Sequence, residues 1–281
     1  MSSDPANGGV TPEVDWSWTE RDPGWVPPEI DQSKPSVARI YDYILGGKDN
    51  FAVDREAAEK AFVMFPDVRD VAVANRGFLV RAVRLMAEAG IRQYLDLGTG
   101  IPTSPNVHEV ARQTHPDARV VYVDNDPMVM AHNRALRATS PGVATVHQDL
   151  RDPAGVLADP VVRDLIDFDE PVGLLLIGVM HFVPVDIGAA IVARYRKALV
   201  PGSYLVLSTQ CVDGTVAGGI EHAESTLAPM LGPVVARSAA QIEELFEGFD
   251  LLEPGLVDVS RWRADGTPGT LAFLGGVGLK T

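Results

Sequence analysis

The chain has 281 residues, 46% hydrophobic and 22% charged, with a formal net charge of −14. That composition supports a large buried core, and no stretch reaches the roughly 18 uncharged apolar residues needed to cross a bilayer. The acidic balance and the absence of any Lys/Arg run argue against a nucleic-acid partner, because phosphate affinity comes from clustered cations.

Cys211 stands alone, which excludes an internal disulfide and a protein-ligated iron–sulfur cluster. Met1-Ser2-Ser3-Asp4-Pro5 lacks a basic region followed by an apolar run, so no signal peptide is read and a cytoplasmic location is expected. His108, His115 and His132 fall outside any ligand spacing, so no metal is expected.

Residues 1–33 are rich in Pro, Asp, Ser and Gly and show no periodicity, so they read as an extended arm. Trp16, Trp18 and Trp25 set it apart from a disordered tail, because large aromatics are depleted from segments that bury nothing. Residues 34–90 read as a helical cap. A short helix from Ser36 stops at Gly46-Gly47, a second capped by Asp54 ends at Phe65-Pro66, and a third covers about 68–89 before Gly90. Val71, Ala72, Phe78, Leu79, Ala82, Val83 and Met86 form the buried stripe of the third helix, which Asn75-Arg76 interrupts.

From Ile91 the chain alternates strand and helix, the pattern of a mostly parallel sheet covered on both faces. The first strand, about 93–97, runs into Gly98-Thr99-Gly100, and Ser104-Pro105 is expected to open the following helix. The second strand ends at Asp124, where a carboxylate can accept hydrogen bonds from vicinal ribose hydroxyls. Asn125 follows in the position flanking a base, and the third strand ends at Asp149-Leu150, suited to an adenine edge. The fourth strand is a continuous apolar run ending in Val179-Met180-His181. After a fifth strand, helices are expected over 221–231 and from Ser238, then a hairpin of strands 256–262 and 270–279.

Seven strands, the glycine turn, two strand-end acids and a terminal hairpin resemble a class I S-adenosylmethionine-dependent methyltransferase. The implied fold is α/β, a Rossmann-like seven-stranded mostly parallel sheet with an antiparallel C-terminal hairpin, over 91–281, plus the N-terminal helical cap. Within that class, Arg39-Ile40-Tyr41-Asp42-Tyr43-Ile44-Leu45-Gly46-Gly47-Lys48-Asp49-Asn50-Phe51, Asp96-Leu97-Gly98-Thr99-Gly100-Ile101-Pro102-Thr103 and Tyr122-Val123-Asp124-Asn125-Asp126-Pro127 are similar to an S-adenosyl methyltransferase family long catalogued as a domain of unknown function.

The resemblance implies S-adenosylmethionine as the cofactor. Its methionine part would lie along Asp96, Gly98, Thr99 and Gly100, its ribose on Asp124, and its adenine by Asn125, Asp149 and Leu150. Val179, Met180 and His181 would border the sulfonium, Asn50 and Phe51 would close over the cofactor, and Arg76 would pair with its carboxylate. Pro102 stands where a third glycine is usual, which removes a backbone donor and adds weight to Arg76.

The expected activity is methyl transfer to a small-molecule acceptor, with His181 and Tyr41 as candidate general bases and a structural role open for each. A protein that binds S-adenosylmethionine or S-adenosylhomocysteine without transfer, as a sensor, is the competing reading. A nicotinamide-dependent dehydrogenase is less well matched, because it expects a third glycine where Thr103 stands.

Overall fold

The computed structural model describes residues 30–137, 140–213, 215, 228 and 234–281. The expected arm therefore lies outside the described residues except at its last few positions, and so does the helix expected over 221–231 apart from residue 228.

Three helices precede the sheet: α1 (Val37–Ile44), α2 (Ala52–Met64) and α3 (Val68–Glu88). Ile40 and Ile44 of α1 pack on Ala57 and Ala58 of α2 and Ala72 of α3, small residues that let the helices approach closely. At the edge of this core, Arg39 and Asp54 form an ion pair at 2.7 Å with exposures of 3% and 0%. Asp54 also accepts the N–H groups of Ser36 (2.9 Å) and Phe51 (2.8 Å). It is therefore the third residue of α2, bonding back to the N–H at the helix entrance, rather than the cap expected from the sequence. The stripe of α3 faces the sheet, with Phe78, Leu79, Val83 and Met86 buried against Tyr94, Leu175 and Val206.

The sheet follows as β1 (Gln93–Leu97), α4 (Val107–Ala111), β2 (Arg119–Asp124), α5 (Pro127–Arg137), β3 (Val143–His147), α6 (Pro153–Ala158), α7 (Pro160–Leu165), β4 (Gly173–Ile177), α8 (Val185–Ala198), β5 (Tyr204–Gln210), α9 (Ala239–Glu244), β6 (Asp250–Leu251), β7 (Val257–Asp258) and β8 (Phe273–Leu279). The order is β3-β2-β1-β4-β5-β8-β6, with β7 also on β8. β1 to β5 are mutually parallel and β8 runs antiparallel to β5. β6 and β7 pair with opposite ends of β8, on the edge that β5 leaves open, so together they fill the seventh position. β1 and β4 are buried almost throughout, as strands covered on both faces must be.

Four local departures have physical causes. The strand expected over 256–262 pairs only at Val257–Asp258, because Asp258 Oδ1 takes the N–H and hydroxyl of Ser260 (2.9 and 2.6 Å) and turns the chain. Trp262 then inserts edge-on to Phe78, with ring centroids 5.4 Å apart. Helix α4 is capped by Asn106 instead of opening at Ser104-Pro105, a cis peptide, and Glu109 bonds back to the Asn106 N–H. The short helices α6 and α7, absent from the sequence reading, are capped by Asp152 and Asp159, each followed by proline.

The candidate functional site

Connections after β1, β2 and β3 meet at one end of the sheet, where the strand order reverses between β1 and β4. Gly98 has φ +71° and Gly100 φ +65°, both in the left-handed region. A Cβ on Gly98 would lie 2.4 Å from Val179 Cγ1, so the turn and the end of β4 touch only because that residue is glycine. The Gly98 and Thr99 N–H groups donate to Val123 O at 2.8 and 3.3 Å. The Gly100 N–H donates to Asp124 Oδ2 at 2.9 Å.

Asp124 Oδ1 accepts the Asp126 N–H at 2.9 Å. The Asn125 N–H is a third backbone partner of this carboxylate, which leaves one of its roughly four acceptor positions for a ligand hydroxyl. Burial holds this carboxyl above its ordinary range, opposed by the hydrogen bonds from Asp126 and Gly100. At the next strand end, Asn125 Nδ2 donates to Asp149 Oδ2 at 3.2 Å, and Arg151 Nη2 reaches the same oxygen at 2.6 Å. The bonds from Arg151 hold the Asp149 carboxyl below the usual range. Leu150 O accepts the Tyr195 hydroxyl at 2.9 Å, fixing the backbone beside the acid.

These groups line a cleft of about 660 Å³, within the size range of small-molecule sites. The structure brings Asp96, Gly98, Thr99, Gly100, Asp124, Asn125, Asp149, Leu150, Val179, His181, Arg76 and Tyr41 together on its walls. Asn50, Phe51 and Met180 are not brought there. Asn50 donates to Asp42 Oδ2 and Gly47 O, and Phe51 lies under the Arg39 guanidinium at 5.0 Å, so both hold the α1–α2 turn. Met180 is wholly buried, as the first residue of a short 3₁₀ turn (Met180–Phe182).

Arg76 lines the cleft, and its Nη2 donates to Thr103 O (2.6 Å) and Pro105 O (2.8 Å). It therefore braces the loop after β1. The neighbouring Asn75, 2% exposed, links three elements: its Oδ1 accepts the Ser208 hydroxyl at 2.7 Å and its Nδ2 donates to Tyr41 Oη at 3.3 Å. The Tyr41 hydroxyl in turn donates to Ala72 O. Burial raises its pKa, so it stays a neutral phenol. His181 sits at the cleft wall with Nδ1 buried and unpartnered, edge-on to Phe273 at 5.8 Å. Burial, aided by the Arg237 guanidinium, pushes its pKa down to about 3, so the ring is neutral near pH 7.

Sequence reasoning missed Gln210, Leu271 and Phe273, which complete the cleft from β5 and the approach to β8. Gln210 carried a signal, since Ser208-Thr209-Gln210 is a polar run ending an otherwise apolar strand. Among the described residues, no three His, Cys, Asp or Glu side chains assemble as a metal site.

Residues 23–281 match the model of the S-adenosyl methyltransferase family. The chain belongs to that family. Two solved structures are similar over nearly their whole length. One is a candidate methyltransferase from Thermobifida fusca, with TM-score 0.85 and 43% identity, covering 92% of this chain and 99% of that one. The other is a DUF574 family protein from Streptomyces avermitilis, with TM-score 0.85 and 41% identity, covering 89% of this chain and 99% of that one. A carboxy-S-adenosyl-L-methionine synthase from Geobacter metallireducens is 27% identical over 170 residues, which span 58% of this chain and 64% of that enzyme, less than two thirds of its length. This S-adenosyl methyltransferase thus has the class I methyltransferase fold and takes S-adenosylmethionine as cofactor. No described helix is long and apolar enough to cross a membrane.

Proposed function

We propose that this S-adenosyl methyltransferase methylates a small molecule held between the sheet and helices α1 to α3. The observation that carries this reading is continuity: one cleft contains both the glycine-turn and Asp124 seat and an apolar compartment roofed by the helical cap.

The residues fit the cofactor. Asp124 retains acceptor capacity for a ribose hydroxyl, Asn125, Asp149 and Leu150 flank the place for an adenine, and Gly100, where a Cβ would meet no atom within 4 Å, leaves the turn open to the methionine part. When bound, S-adenosylmethionine supplies an electrophilic methyl group on a sulfonium. The protein's share of the work is alignment and exclusion of water, worth on the order of 7–11 kcal/mol when geometry is well held. Asn75 and Ser208 fix the acceptor side to the ends of β4 and β5, while Arg76 braces the turn on the cofactor side. The cap is tied to the cofactor side by Ser36, whose hydroxyl donates to Asp126 Oδ2 at 2.6 Å.

The test is incubation of the full chain with methyl-labelled S-adenosylmethionine and a small-molecule extract, followed by separation of small and large products. Label in a small product is the expected result. Label only in macromolecules, or cofactor binding with no labelled product, would sink the reading.

A further inference from the structure

Beyond β3 the chain turns at once. The Asp152 N–H donates to Asp149 O at 2.9 Å, and Asp152 caps α6 by accepting the Gly155 N–H at 3.1 Å. This tight turn folds the side chain of Arg151 back over the acid two residues before it, on the cleft wall where the purine of the cofactor is expected.

The consequence is a carboxylate whose acceptor positions are taken. Asp149 Oδ1 receives the Arg151 N–H at 2.8 Å and Nε at 3.0 Å, and Oδ2 receives Arg151 Nη2 at 2.6 Å and Asn125 Nδ2 at 3.2 Å. Arg151 Nε also lies 3.1 Å from Oδ2. A carboxylate offers about four such positions, so the 6-amino group of an adenine must displace one of these donors before it can bond to Asp149. Arg151 supplies three of the four. Its backbone N–H is fixed by the turn, but the guanidinium is free to leave: the side chain is 50% exposed, and an exposed ion pair is weak because hydration replaces what the cation gives up.

The arriving amine therefore gains only the difference between its own bond and the charge-assisted one it replaces. With the guanidinium removed, the same amine would meet an open carboxylate. A purine without the amine leaves the ion pair intact in either case. We propose that Arg151 is a specificity-determining residue for the base of the cofactor: it competes with the 6-amino group for Asp149 and so weakens the selection of adenine over other purines. This rests on the methyl-transfer reading above, through the placement of S-adenosylmethionine in this cleft.

The experiment titrates the full chain calorimetrically with S-adenosylhomocysteine and with the analogue in which hydrogen replaces the 6-amino group, using wild type, Arg151→Ala and Arg151→Met. Methionine keeps an aliphatic stem without the charge, so the second variant separates packing from pairing. The ratio of the two dissociation constants reads what the 6-amino group contributes. It should be at least about fivefold larger in both variants than in wild type. A smaller rise in either variant, no change, or a fall would overturn the proposal, since a guanidinium that contests Asp149 must lower the worth of the amine. Failure of wild type to bind S-adenosylhomocysteine is a separate result, which removes the underlying methyl-transfer reading.

Discussion

The backbone N–H of Gly100 donates to the carboxylate of Asp124 at 2.9 Å, so the turn after the first strand and the acid ending the second are one hydrogen-bonded unit. Neighbouring donors at Gly98 and Thr99 bind Val123 O. The glycine turn therefore spends its donors on the second strand. What it offers a ligand is closeness of approach and a correctly placed carboxylate, more than a row of open N–H groups.

Gly98→Ala should be costly on two counts, the positive φ and the 2.4 Å contact of the new Cβ with Val179 Cγ1. A loss of about 1–3 kcal/mol in urea unfolding is expected, with weaker binding of S-adenosylhomocysteine. Val179→Ala in the same chain should recover part of the stability by removing the collision while leaving the backbone strain. No recovery would show that the collision is not the cause.

Arg39→Met leaves Asp54 buried without its cation. Unfolding free energy should fall by about 3–5 kcal/mol, and Asp54→Asn added to that variant should restore some of it. A loss too small to measure would mean that solvent reaches this pair.

His181 gives a pH signature. Its folded pKa of about 3 lies below the unfolded value near 6.5, so the unfolded chain binds the extra proton between those limits. Its contribution is fully present above about pH 6.5 and is lost as pH falls toward 3. The melting temperature of His181→Phe relative to wild type should therefore rise as pH is lowered from 7 to 5. A constant difference would show that the ring is solvated.

Arg76→Ala should weaken both S-adenosylhomocysteine and methylthioadenosine, because the guanidinium braces loop carbonyls that serve either ligand. If only the ligand carrying the amino-acid carboxylate were affected, Arg76 would act as a direct partner of that carboxylate.

Much of the fold was legible because its signals are local. Gly98-Thr99-Gly100 between a strand and a helix, and acids at successive strand ends, fix the cofactor side through short-range geometry. The acceptor side was harder to read, since Gln210, Leu271 and Phe273 reach the cleft only through the antiparallel pairing of β8 with β5. Asn50 and Phe51 lie off the cleft walls, and a polar glycine-rich turn looks the same in sequence whether it closes a cleft or caps a helix. Here Asp42 and Arg39 bind it to the helix pair. The role of Asn75 was also out of reach, since its partner Ser208 lies 133 residues away. The short helices α6 and α7 did carry a signal, a repeated Asp-Pro, that went unread.

The most direct test of the cofactor seat is calorimetric titration of S-adenosylhomocysteine into wild type and Asp124→Asn. Asparagine has one acceptor oxygen where the carboxylate has two, and its amide NH₂ would face the N–H of Gly100 or Asp126. The account predicts that the variant keeps a cooperative melt and binds at least about tenfold more weakly, a loss of roughly 1.4 kcal/mol or more. An unchanged affinity in a folded variant would contradict it.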